Sequence, residues 1–104
     1  MKTNIIKLTQ LYGMHLHTDE KEAEKEAVKV DYLLSTYLPY GYVKDAQEKL
    51  KSENRIVSDS IIRQVKNLHF SDLQILNILI ELAKNNKAIA EANKQKFKKL
   101  LSNT

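Results

Sequence analysis

The stretch Leu73 to Leu82, "LQILNILIEL", constrains this chain more than any other. At 100° per residue Leu73, Leu76, Ile80 and Ala83 cluster, and Ile75, Ile78, Leu79 and Leu82 widen the apolar arc to roughly 200°, leaving Gln74, Asn77 and Glu81 as one wet stripe. A helix with so wide an apolar arc needs cover over most of its circumference. A bilayer cannot supply it, because a membrane span requires about 20 predominantly apolar residues. Asp72, Gln74, Asn77 and Glu81 interrupt this one within ten positions. The stretch is therefore the central stave of a protein core.

Its start is written locally. Ser71 and Gln74 have capping-box spacing, Asp72 falls in the first turn where the helix dipole favours negative charge, and Phe70 precedes them as a hydrophobic staple. These signals predict a helix from about Ser71 to Leu101, with Lys84 to Lys87, "KNNK", as a poor helix centre where a break at 85–86 would fall.

The other staves follow from the same periodicity. Asp19 and Glu22 mark a start, and Ala23, Ala27, Val30, Leu34, Tyr37 and Leu38 recur on one face until Pro39 and Gly41 stop the helix. Val43, Ala46, Leu50, Val57, Ile61, Val65 and Leu68 stay in phase, which predicts one helix over 42–67; the alternative is a break at "SEN", Ser52 to Asn54. Ile5, Leu8, Tyr12 and Leu16 predict a short first helix over 3–16, weakened by Gly13. With 104 residues, 42% hydrophobic, the chain can build one core and one domain. Two Gly and one Pro suit long helices, not the many turns of a β domain. The expected fold is all-α, an antiparallel up-and-down four-helix bundle with a basic C-terminal helical tail.

Several functions are set aside at this stage. The absence of Cys removes disulfides, thiolate metal sites and cysteine nucleophiles, and suits a reducing interior. The N-terminus spaces its apolar residues with polar ones and shows no export signal, so a cytoplasmic location is expected. No glycine-rich phosphate loop, G-x-S-x-G elbow or H-E-x-x-H helix is present, so neither an enzyme nor a cofactor is expected. His15 and His17, with Asp19, form too weak a ligand pattern for metal. His69 reads as a polar ring at the edge of the core.

Charge is unevenly placed. Residues 1–52 hold eight Lys against eight acidic residues, whereas residues 53–104 hold nine Lys and Arg against five, so the net excess lies in the second half. Its densest part, "KQKFKKLL", sets Lys94, Lys96, Lys98 and Lys99 around Phe97 and Leu101. Such a tail suits an anionic membrane surface or nucleic acid, and equally a solvated helix face.

Two fragments carry a resemblance. "PYGYVKD", Pro39 to Asp45, and "LHFSDLQ", Leu68 to Gln74, resemble segments of the immunity proteins for pediocin-like (class IIa) bacteriocins, the enterocin A immunity family. The resemblance implies a cytoplasmic protein that guards its own cell by binding, from the cytosolic side, a mannose phosphotransferase permease engaged by the bacteriocin, with peripheral contact at the membrane. In that family the C-terminal half selects the bacteriocin, which corresponds here to Ser71 to Thr104, and the resemblance makes Lys94, Lys96, Phe97, Lys98, Lys99 and Leu101 the expected recognition residues; in the alternative reading Phe97 and Leu101 close the end of the bundle. The competing expectation is a small basic helical nucleic-acid-binding regulator. It is set aside at the sequence level because Arg occurs only at positions 55 and 63 and no helix studded with Arg, Asn and Gln stands out. Oligomeric state is left open.

Overall fold

The computed structural model describes Tyr12 and residues 20–102. The predicted first helix over 3–16 lies outside the described residues, apart from Tyr12. Four helices follow, and no strand occurs among the described residues: α1 Glu20–Thr36, α2 Tyr42–Ser52, α3 Asp59–Lys66 and α4 Leu73–Ser102.

The core gathers where the sequence stripes meet. Leu34 from α1, Ala46 and Leu50 from α2, Ile62 and Val65 from α3, and Ile75, Leu76, Ile78 and Leu79 from α4 form one buried cluster. Each large side chain taken out of water there contributes about 1.5–3 kcal/mol. The α1 stripe is confirmed, with Ala23, Ala27 and Leu34 buried and Val30, Tyr37 and Leu38 half-buried. No polar or charged side chain is buried among the described residues. Ala27 packs with Leu68, just before α4, while the carbonyl of Tyr37 accepts from Asn86. The two long helices therefore run in the same sense.

Two expectations need correction. The predicted helix over 42–67 is two helices, because α2 ends in a Schellman turn. Asn54 takes a left-handed φ of 64°, its N–H donates to Lys51 O, and the Arg55 N–H donates to Leu50 O at 2.9 Å. After this break the phase resets, so Ile62 is wholly buried and Ile61 only partly. The third stave of the expected bundle is thus a bent pair.

The start of α4 is also shifted. Asp72 caps it: a carboxylate oxygen accepts from the Ile75 N–H at 3.1 Å and the Asp72 carbonyl from the Leu76 N–H at 2.9 Å. Gln74 turns its side chain toward Arg55 and Glu53, Phe70 is 42% exposed, and Leu73 lies outside the buried arc at 61%. In keeping with the predicted helix over 71–101, α4 runs unbroken through "KNNK", and the possible break at 85–86 does not occur. Asn86 donates to the Tyr37 carbonyl at 2.7 Å, and the Lys87 ammonium lies about 6 Å from the ring centres of Tyr32 and Tyr37. The end of α1 thus holds the segment that looked weakest as helix.

Candidate functional site

The bent pair α2 and α3 forms the most elaborated surface. Ala46, wholly buried at the middle of α2, has only a methyl group and lets the two helices approach over Leu50, Ile62 and Val65. Gln47 of α2 donates from one amide nitrogen to the Val57 carbonyl and to the Asp59 carboxylate, tying α2 to the entry of α3. The hydroxyl of Ser58 caps α3 by accepting from the Ile61 N–H. At the other end the Leu68 N–H donates to Val65 O and the His69 N–H to Gln64 O at 2.8 Å, a second Schellman closure, with Leu68 at φ 62° in the position that glycine usually fills.

A polar bracket fixes this pair to α4. Arg55, from the turn, forks onto both carboxylate oxygens of Asp72 and also donates to Gln74 Oε1 at 2.8 Å, while Gln74 donates to Glu53. The guanidinium holds the Asp72 carboxyl below its usual range, with partial burial acting the other way. Asp72 also donates its N–H to the Tyr12 hydroxyl, whose own pKa burial raises. One carboxylate therefore caps α4 and anchors the turn between α2 and α3.

The inward face of α3 is Ile62 and Val65, so its outward face is determined. Ser60, Arg63, Gln64 and Asn67, at spacing i, i+3, i+4 and i+7, share that side; all are exposed except Gln64, which is half-buried. Gln64 donates to the Ser60 hydroxyl at 3.1 Å. Arg63 and Lys66 border an open groove of about 630 Å³ that also takes in Tyr40, Gly41 and Tyr42 at the N-terminal end of α2. Gly41 supplies a left-handed φ of 81° there, and open space surrounds the position where a Cβ would stand. The end of α2 turned toward the groove is the positive end of its dipole, and Tyr40 is fully exposed beside it.

The expected recognition residues sit elsewhere. Lys94, Lys96, Phe97, Lys98, Lys99 and Leu101 lie on the last turns of α4, where every residue from Ala88 to Ser102 is exposed. Phe97 is 65% and Leu101 71% exposed. The tail residues share one helix, but none of them joins the α2–α3 surface.

Sequence reasoning missed Ser60, Gln64 and Asn67, and gave Arg63 no role. In a continuous helix over 42–67 they are scattered polar positions. The signal that isolates them is Asn54 as a helix-ending residue followed by Ser58 as a fresh cap, which sets "SDSIIRQVKN" apart as a short helix with its own two faces. No cluster of three potential metal ligands occurs among the described residues, and His15, His17 and Asp19 lie outside them. No helix among the described residues is long and apolar enough to cross a membrane.

No family model, no curated protein and no solved structure matches this chain.

Proposed function

We propose that the chain is a nucleic-acid-binding protein of helix-turn-helix type, in which α3 enters the major groove of a duplex. The observation that carries this reading is the split of α3 into a wholly buried Ile62–Val65 face and an outward row of Ser60, Arg63 and Gln64, which Asn67 continues at the helix's C-cap. Arg suits the O6 and N7 acceptors of guanine, and Asn and Gln suit adenine, each good bidentate pair being worth about 1–3 kcal/mol of discrimination. The row spans about 10 Å at 1.5 Å per residue, enough to face roughly three base pairs. Lys66 and the positive end of α2, at the groove beside Arg63, would meet phosphates and set the register. The bracket of Arg55, Asp72, Gln47 and Gln74 supports the reading by holding the short helix to a rigid body.

The test is fluorescence anisotropy of the full chain on a randomised duplex pool, followed by selection of bound sequences. Salt-sensitive binding that narrows to a preferred site, and that Arg63→Ala and Gln64→Ala weaken tenfold or more with helicity unchanged, is the expected result. No binding in low salt would end the proposal.

A second reading keeps support of its own. The resemblance of Pro39 to Asp45 and Leu68 to Gln74 to bacteriocin immunity proteins is joined by an exposed basic tail at the residues expected to recognise the bacteriocin-engaged permease. Expression in a bacteriocin-sensitive lactic acid bacterium, challenged with a panel of pediocin-like peptides, tests it. A raised inhibitory concentration for one or two peptides is its signature, and no rise with soluble protein present counts against it.

A further inference from the structure

We infer that the groove between the end of α1, the turn into α2 and the side of α3 binds a small amphipathic carboxylic acid, an apolar body carrying one carboxylate. The groove has a volume of about 630 Å³, inside the range of roughly 300–1,000 Å³ that small-molecule sites occupy. Its floor is apolar and comes from Leu34 and Leu38 with Pro39, and from Tyr42 and Val43 in the first turn of α2. Leu34 belongs to the buried core cluster, and Leu38, Tyr42 and Val43 pack against it, so the core fixes the floor in place. The turn leaves the cleft open. The Pro39 ring locks its own φ, and Gly41, at φ 81°, puts no side chain at the mouth. Tyr40 stands at the rim with its side chain fully exposed.

Charge selects the occupant. Arg63 and Lys66, neighbours at spacing i, i+3 on α3, supply two cations to the groove, and no Asp or Glu borders it. Neither cation makes an ion pair or a side-chain hydrogen bond among the described residues. Two positive groups beside an apolar floor, with no anion from the protein itself, fit a ligand that brings the missing charge on an apolar body. A carboxylate suits the pair, because a guanidinium can fork onto both of its oxygens. Size excludes a protein partner: ten residues border the groove, whereas a stable protein interface takes roughly 20–30 a side. A duplex phosphate would answer the charge and leave the floor uncovered. Arg63 and Lys66 also belong to the surface proposed to meet a duplex, so the bound acid would withdraw both from it and release the nucleic acid. That consequence rests on the nucleic-acid reading, and the binding itself does not.

Isothermal titration calorimetry of the full chain with octanoate, with no nucleic acid present, should show saturable one-to-one binding, and the amide resonances of Gly41, Val43 and Arg63 should shift with it. Octanol and acetate each lack one half of the chemistry and should bind at least tenfold more weakly. Arg63→Gln with Lys66→Gln should weaken octanoate tenfold or more with the far-UV helical signal unchanged. Lys49→Gln, in the last turn of α2, should leave it as it is. No saturable binding, binding that the double variant leaves intact, or equal binding of octyltrimethylammonium would overturn the proposal. Octanoate added to a duplex complex then separates the two readings. Octanoate bound with no displacement removes the release step, and octanoate bound by a chain that takes up no duplex upholds the groove while ending the nucleic-acid reading.

Discussion

Leu68 and Asn54 occupy the same left-handed backbone position at the ends of two successive helices, and their surroundings decide what each substitution does. An L-residue there pays about 1–2 kcal/mol in backbone strain, less for Asn, whose short side chain tolerates it. Asn54 is exposed, so Asn54→Val should cost about 1–2 kcal/mol in urea unfolding, while Asn54→Gly should be neutral or slightly stabilising. Leu68 is only 7% exposed. Leu68→Gly relieves strain but loses burial and opens a cavity worth about 2–5 kcal/mol, so burial wins and the variant should be less stable. Asp72 acts through charge. Its folded pKa is lowered from an ordinary value of 3.8, so its contribution is complete above that value and is lost as pH falls through the folded one. The stability gap between the natural chain and Asp72→Asn should therefore be full at pH 7 and shrink as the pH is taken below 3.8, measured by urea titration.

At the scale of the element, α3 separates a buried face from an exposed polar one within eight residues. Ile62→Ala should cost about 2–5 kcal/mol in unfolding free energy, because a wholly buried side chain leaves a cavity in the cluster shared with α4. Arg63→Ala, one residue on, should change stability by no more than about 0.5 kcal/mol and show its effect in duplex binding alone. The tail of α4 behaves differently again. Truncation after Asn93 removes no buried side chain, so the body should keep its unfolding midpoint in urea.

At the scale of the whole molecule, one α3 helix with Arg63, Lys66 and the end of α2 can neutralise only a few phosphates. The binding constant should then fall with salt at a log–log slope of about −2 to −4 for a single copy, and about twice that for a pair of copies on one duplex. Anisotropy titrations from low to moderate salt read this slope directly, and a slope near zero would remove the electrostatic basis of the proposal.

Helical character, the buried face of α1 and the place of Ile75 to Leu79 in the core were legible in the residues alone, because periodicity and the scarcity of Gly and Pro are local properties that survive any arrangement. Tertiary structure decided where helices end. Hydrophobic phase passes smoothly from Leu50 to Val57 and Val65, so a continuous helix and a bent pair look alike in sequence. The choice depends on Arg55 finding Asp72 seventeen residues away and on Ile62 finding α4. "KNNK" is the converse, a locally weak helix that α1 holds together through Asn86 and Lys87. The outward row on α3 was hidden for the same reason: a face exists only once the opposite side has been packed against something, and that something lies far along the chain.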